Sequence, residues 1–246
     1  MGMRRSVVGY SGGVTSAWCL NWALRTFPRE EVVALFHDTQ REDADTYRYL
    51  REMAIKLDIP ITERSDGRSV EEVEDDEHAL ANNRMAFCSR ILKAEQKNKY
   101  FDELRAIGVT EITLVLAFSA REEERVQRAW ANAQRGGYTV RFPLIEDDVS
   151  KQQTADWSHA IGVQIPRMYV WSDHANCVGC RRGGKAYWLA VAANAPEVFE
   201  AAVQREAAFG HTFLKDTTLA RLVVVGLKRD VKRREAIDIG ACECGS

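Results

Sequence analysis

Short β-branched runs punctuate this chain, and most are followed by a longer stretch in which apolar residues recur at spacings of three and four. A two-residue period marks strands and a period near 3.6 marks helices. The pattern predicts a strand ending at Val7-Val8-Gly9 and four more over 31–38, 59–62, 111–119 and 138–143. Helices are predicted between them over 15–26, 44–57, 91–107 and 121–134. Strands that alternate with helices imply an α/β fold, a doubly wound parallel five-stranded sheet covered on both faces. The pattern changes after residue 143. A helix is expected over 150–161, a polar cysteine-containing loop over 171–184, two helices across 185–209 broken at Pro196, and one more strand over 219–227. The chain therefore divides into an α/β unit, 1–145, and a C-terminal helical, Cys-rich region, 146–246, packed on the sheet's active edge. The stretch 63–83, with eight acidic residues and few large apolar ones, reads as a solvated loop with a short exposed helix, or as a mobile flap over the crevice.

The first strand empties into Ser11-Gly12-Gly13-Val14-Thr15-Ser16. Two glycines permit a sharp turn and close approach of a ligand to the backbone. The hydroxyls of Ser11, Thr15 and Ser16 and the free amides of a helix start donate to phosphate oxygens, and the helix dipole adds attraction for an anion. The run is neither GxxxxGK[ST] nor GxGxxG, so the common NTPase and dinucleotide readings do not apply. In parallel sheets ligands bind beyond the carboxyl ends of the strands at a switch point. That rule brings Ser11 to Ser16, Asp38, Thr39 and Ser119 to one crevice.

With 246 residues, 46% of them hydrophobic, the chain is long enough for one sizeable core. It has no N-terminal apolar leader pattern and no apolar run approaching the roughly 18 residues of a membrane span, so cytoplasmic residence is the default expectation and no membrane partner is expected. A net charge of −2 removes any global pull toward nucleic acid or anionic lipid. The basic stretch 228–234 is expected to be a solvated segment that could touch a nucleic-acid backbone.

Six cysteines in a chain of that expected residence favour metal or redox chemistry over disulfides. Cys177-Val178-Gly179-Cys180 places two thiolates across a tight turn, within reach of one metal. Cys88 could supply a third ligand and leave one iron of a four-iron cluster open. Alternatively Cys177 and Cys180 could join Cys242 and Cys244 around a structural zinc, or hold no metal. Cys19 reads as a core residue and His174 as a loop hydrogen-bonding group. Glu122 and Arg125 share a helix face at i and i+3; the arginine could hold a phosphate or sulfate with the glutamate orienting it, or the two could form a solvated ion pair. Arg90 and Lys93 beside Cys88, and Arg181, Arg182 and Lys185 after Cys180, would lower thiol pKa values and attract an anion.

The Ser-Gly-Gly-x-x-Ser loop resembles that of the PP-loop ATP pyrophosphatases. His37-Asp38-Thr39 with Glu42 and Asp45-Thr46-Tyr47, Phe87-Cys88-Ser89-Arg90-Ile91-Leu92-Lys93, Ala117 to Arg125, and Asn176 to Cys180 with Trp188 follow in an order similar to the phosphoadenosine phosphosulfate (PAPS) reductase-like branch of the adenine nucleotide alpha hydrolase superfamily, including short forms encoded by phages and mobile elements. The resemblance implies a HUP-type, Rossmann-like sheet and an adenine nucleotide ligand, either ATP or a sulfonucleotide (PAPS or APS). It implies cleavage of ATP to AMP and pyrophosphate, with magnesium as a possible aid. A substrate is thereby activated for sulfur transfer assisted by a 4Fe-4S cluster on Cys88, Cys177 and Cys180, with Lys93 and Arg125 helping at the phosphates. The acceptor could be a nucleic acid or a small molecule. The alternative enzyme is a sulfonucleotide reductase with Cys244 as nucleophile and a thioredoxin-like reductant. A non-catalytic nucleotide-binding module with structural zinc is the third reading. Three departures stand out. Val14 replaces the aspartate of the pyrophosphatases, Phe87-Cys88 replaces a cysteine pair, and Glu243-Cys244-Gly245 is followed by Ser246 rather than an apolar-His pair.

Overall fold

The computed structural model describes residues 2–226. In chain order the elements are β1 (Met3–Gly9), α1 (Val14–Thr26), β2 (Val32–His37), α2 (Ala44–Lys56), β3 (Ile61–Arg64), α3 (Val70–Asp76), α4 (Phe87–Ser89), α5 (Gln96–Ala106), β4 (Val109–Val115), α6 (Glu123–Gly136), β5 (Thr139–Arg141), α7 (Pro143–Glu146), α8 (Lys151–Ala160), α9 (Lys185–Asn194), α10 (Pro196–Phe209) and α11 (Leu219–Gly226). The five strands form one parallel sheet in the order β3-β2-β1-β4-β5. The chain leaves β1 first toward β2 and later returns to β4 on its other side, so the switch point lies between β1 and β4.

Successive strand residues point to opposite faces, and both faces are covered, which is why the strands read as nearly unbroken apolar runs. Val8, Ala34, Phe36 and Val115 pack with residues of α1, α2 and α8. Val7, Leu35 and Leu114 pack under Tyr100, Phe101 and Leu104 of α5. The segment from α8 through Ala175 belongs to the core that supports α1. Helices α9 to α11 build a separate cluster around Trp188, which is fully buried and stacked on Phe213 at 5.5 Å.

Two expectations fail here. The segment 219–227 is helical, not a strand, over Leu219–Gly226. Its Leu219 and Leu222, at i and i+3, both enter the Trp188 cluster, and the buried Glu206 carboxylate accepts the Leu219 amide at the helix start. A helical period thus overrides the β propensity of a valine run. The acidic stretch is not simply a solvated loop. Ser69 and Glu72 form a capping box that starts α3, Val70 and Val73 are buried, and Glu74 is fully buried between Arg181 and Arg205. Cations more than a hundred residues away decide the environment of this acidic run.

Candidate functional site

The turn over residues 11–16, the expected phosphate loop, sits at the carboxyl end of the central strand. Gly12 has φ +77°, a region L side chains rarely adopt, and Gly13 is the N-cap of α1. The buried Ser16 hydroxyl donates back to the Gly13 carbonyl at 2.9 Å and accepts the Ser11 amide at 3.1 Å. The Ser11 hydroxyl lies 3.3 Å from Ser16 Oγ, and Thr15 is half-buried beside them. Tyr169 closes one side of the loop. Its hydroxyl accepts the Val14 amide at 3.1 Å and lies 3.0 Å from where a Gly13 Cβ would stand, and the Ala175 amide reaches the same hydroxyl. Burial pushes the Tyr169 phenol up to about 12 against the pull of those two amides, so it stays neutral.

At the end of β2, Asp38 accepts a hydrogen bond from the Tyr47 hydroxyl and another from the Gln40 amide. Thr39 is buried and turned toward the thiols. Its Oγ1 donates to the Glu42 carboxylate at 2.8 Å and lies 3.1 Å from Cys177 Sγ. The Glu42 side chain, only 3% exposed, also receives Lys93 Nζ at 3.6 Å and faces the Cys177 thiol at 3.7 Å. Lys93 comes from a π-helical turn, Arg90–Glu95, that leads into α5; such turns recur at functional positions. Burial works against the Lys93 charge, but Cys177, Glu42, Cys180 and Cys88 outweigh it together and raise its pKa. All three thiols therefore lie in the electrostatic reach of one ammonium group.

Cys177 and Cys88 are not acidified as the neighbouring cations suggested. Burial pushes the Cys177 thiol up to about 12, with Lys93 pulling the other way and Glu42 and Cys180 adding to the rise. Burial and the Cys180 charge also raise Cys88. Desolvation outweighs the cations that act on them, which are shared with carboxylates: Lys93 with Glu42, and Arg181 with Glu71 and Glu74. Among the described residues no group of three or more His, Cys, Asp or Glu side chains is arranged to hold a metal ion. No such group contains Cys88, Cys177 and Cys180. Cys242 and Cys244 lie outside the described residues.

At the end of β4, Ser119 and Glu122 form a capping box for the turn that starts α6. Glu122 pairs with Arg125, whose guanidinium lies 4.1 Å above the Phe118 ring. Lys151, at the start of α8, sits with its ammonium 4.9 Å from the Tyr169 ring centre.

A model of the phosphoadenosine phosphosulfate reductase domain matches residues 5–130, from β1 through most of α6. The chain belongs to that family. This PAPS reductase-family protein is also similar to a crystal structure of phosphoadenylyl-sulfate (PAPS) reductase from Candida auris in its phosphate complex. The match has 15% sequence identity and a TM-score of 0.42, and covers 68% of this chain and 76% of that one. No curated protein matches the chain in sequence. Among the described residues no helix is long and apolar enough to cross a membrane.

In this family member the matched span supplies the phosphate loop, Asp38, Thr39, Cys88, Lys93, Ser119, Glu122 and Arg125, while Cys177 and Cys180 arrive from beyond it. Sequence reasoning missed Tyr169 and Lys151 and understated Glu42. The only local sign for Lys151 is its place at the first turn of a predicted helix, and Tyr169 has none. His37, at the end of β2, is a further group set by burial. Burial, reinforced by Lys93, Lys97 and Arg64, lowers its pKa from 6.5 to about 4. The unfolded chain binds that proton near pH 6.5 and the folded chain does not until near pH 4. Stability is therefore full above pH 6.5 and should fall by on the order of 3 kcal/mol as pH drops to 4. His174, shifted downward by burial as well, adds to the same limb. Urea unfolding between pH 7.5 and 4 should show this slope and a shallower one in His37→Gln; an unchanged slope would remove His37 as its source.

Proposed function

We propose that the protein binds a sulfonucleotide, PAPS or APS, with its phosphate on Ser11 to Ser16, and reduces it with crevice thiols. The carrying observation is that the phosphate loop and the thiol loop are fastened together, with Tyr169 receiving amides from Val14 and Ala175 and Thr39 contacting Cys177. In this reading a thiolate attacks the sulfonyl sulfur. A sulfur–sulfur bond forms as the sulfur–oxygen bond to the phosphate breaks, and the nucleotide leaves as its phosphate. A second thiol then attacks the sulfur of the first, releasing sulfite and leaving a disulfide for an external dithiol to reduce. Glu42 lies within reach of the Cys177 proton that burial holds on the sulfur, and Lys93 and Arg125, each shared with a carboxylate, offset part of the negative charge on the substrate. Cys244 is the other candidate for the first thiol.

A second reading, cleavage of ATP to AMP and pyrophosphate for sulfur transfer to a nucleic-acid or small-molecule acceptor, is favoured by three thiols gathered around one lysine. The loop lacks an acidic residue for a metal ion, with Val14 in the relevant place, and this weighs toward the sulfonucleotide. Anaerobic incubation with PAPS, APS or ATP and a dithiol separates the readings. Sulfite with a nucleotide phosphate supports the first, and AMP with pyrophosphate supports the second. Nucleotide binding without turnover overturns both in favour of a binding module.

A further inference from the structure

The phosphate loop carries hydroxyls and amides but no cation, and one of its amides, that of Val14, is already given to Tyr169. A phosphate or sulfonate in such a loop needs positive charge brought from elsewhere in the fold. On the β2 side Lys93 is engaged by Glu42 and the thiols. On the β4 side Arg125 is engaged by Glu122 and stacked on Phe118. From the C-terminal part of the chain, Lys151 approaches the loop through Tyr169. It opens α8, whose start is fixed by the Ser150–Gln153 capping box. Its Nζ lies over the ring whose hydroxyl touches the loop, one phenol ring away from Val14.

We infer that Lys151 is a binding residue for the oxyanion of the nucleotide, its ammonium meeting a phosphate or sulfonate oxygen held on Ser11 to Ser16. The inference rests on the reading that this crevice binds an adenine nucleotide. The groups that act on Lys151 are Asp173, Glu122, His174 and the Tyr169 ring, and Arg125 acts on His174 in turn. Burial disfavours the ammonium more than Asp173 and Glu122 favour it, which lowers its pKa. A desolvated cation beside an anion cradle gains more from an incoming oxyanion than a solvated one does. Tyr169 thereby has two tasks: it fixes the loop through Val14, and its ring supports the cation that complements the loop.

The test is isothermal titration of the full-length wild type, Lys151→Met and Lys151→Arg with adenosine, AMP, adenosine 3′,5′-bisphosphate and ATP. Melting is followed in parallel, and Lys151→Gln is used if the methionine variant does not fold. Lys151→Met should bind the phosphorylated nucleotides at least about tenfold more weakly, the range of one charge-assisted hydrogen bond. It should bind adenosine as the wild type does, and Lys151→Arg should recover most of the loss. Wild-type affinity for AMP and ATP in Lys151→Met overturns the inference while leaving the nucleotide reading intact. Equal loss for adenosine and AMP would make Lys151 a structural residue and also overturns it. A wild type that binds no nucleotide removes the reading itself and the inference with it.

Discussion

Glu74→Ala is expected to lower the unfolding free energy by about 3–5 kcal/mol, the usual cost of leaving a buried charge without its partner. Glu74 has no exposed side-chain surface and serves two arginines at once. Oε1 accepts Arg181 Nε at 2.8 Å, and Oε2 accepts Arg205 Nε at 2.9 Å and Arg181 Nη2 at 3.1 Å. Arg181 is itself only 2% exposed and lies against the Phe213 ring, so it cannot turn to water when the carboxylate goes. The loss reaches the site as well. Glu71, the other partner of Arg181, holds Arg41, and Arg41 exchanges backbone and side-chain bonds with Val178 in the thiol loop. For a chain of this size the cost corresponds to a fall in melting temperature of roughly 6–20 °C. Thermal and urea unfolding read it directly. The exposed neighbour Asp75, paired with Arg205 at the surface, provides the contrast, since Asp75→Ala should cost no more than about 1 kcal/mol. Equal effects of the two would mean the buried network does not hold α3 in place.

The second large effect is expected at the phosphate loop, where Gly12→Ala should lower stability by about 2–6 kcal/mol and nucleotide affinity by at least about tenfold. Two costs add: a left-handed backbone on a residue with a Cβ, of order 1–3 kcal/mol, and overpacking of similar size. The new Cβ would stand 2.8 Å from Thr46 Cγ2, with the Thr46 carbonyl oxygen at 3.4 Å and Leu50 Cδ1 at 3.5 Å. Thr46 is fully buried in α2, so relief must come from the loop, which would move its amides and hydroxyls off the phosphate. Gly67→Ala separates the two costs, because Gly67 has φ +93° but nothing within 4 Å of a Cβ. It should show the backbone cost alone and bind nucleotide normally. A Gly12→Ala protein with unchanged affinity would place the phosphate elsewhere in the crevice.

Much of this was legible in the sequence because it is local. The five strands and their order of appearance, the loop after β1 and the helix starts are written in spacings of two, three and four and in capping residues a few positions apart. The valine run near 219 reads as a strand for the same reason. A β-branched run has no intrinsic partner, and only Glu206 and the Trp188 cluster make it a helix. The charges of 63–83 look alike in a solvated loop and in a buried network, so the sequence alone left Glu74 exposed.

The sequence by itself determined the sheet, the glycine turn that follows its central strand and the placing of Asp38, Thr39 and Ser119 after neighbouring strands, since period and glycine conformation act over a few residues. The tertiary structure alone decided which groups meet there: Tyr169 with Val14 across 155 positions, Cys177 with Thr39 across 138, and Arg181 with Glu74 across 107. Such contacts follow from how helices pack on the sheet and which charges lose water together, and neither leaves a trace in the local pattern of the chain.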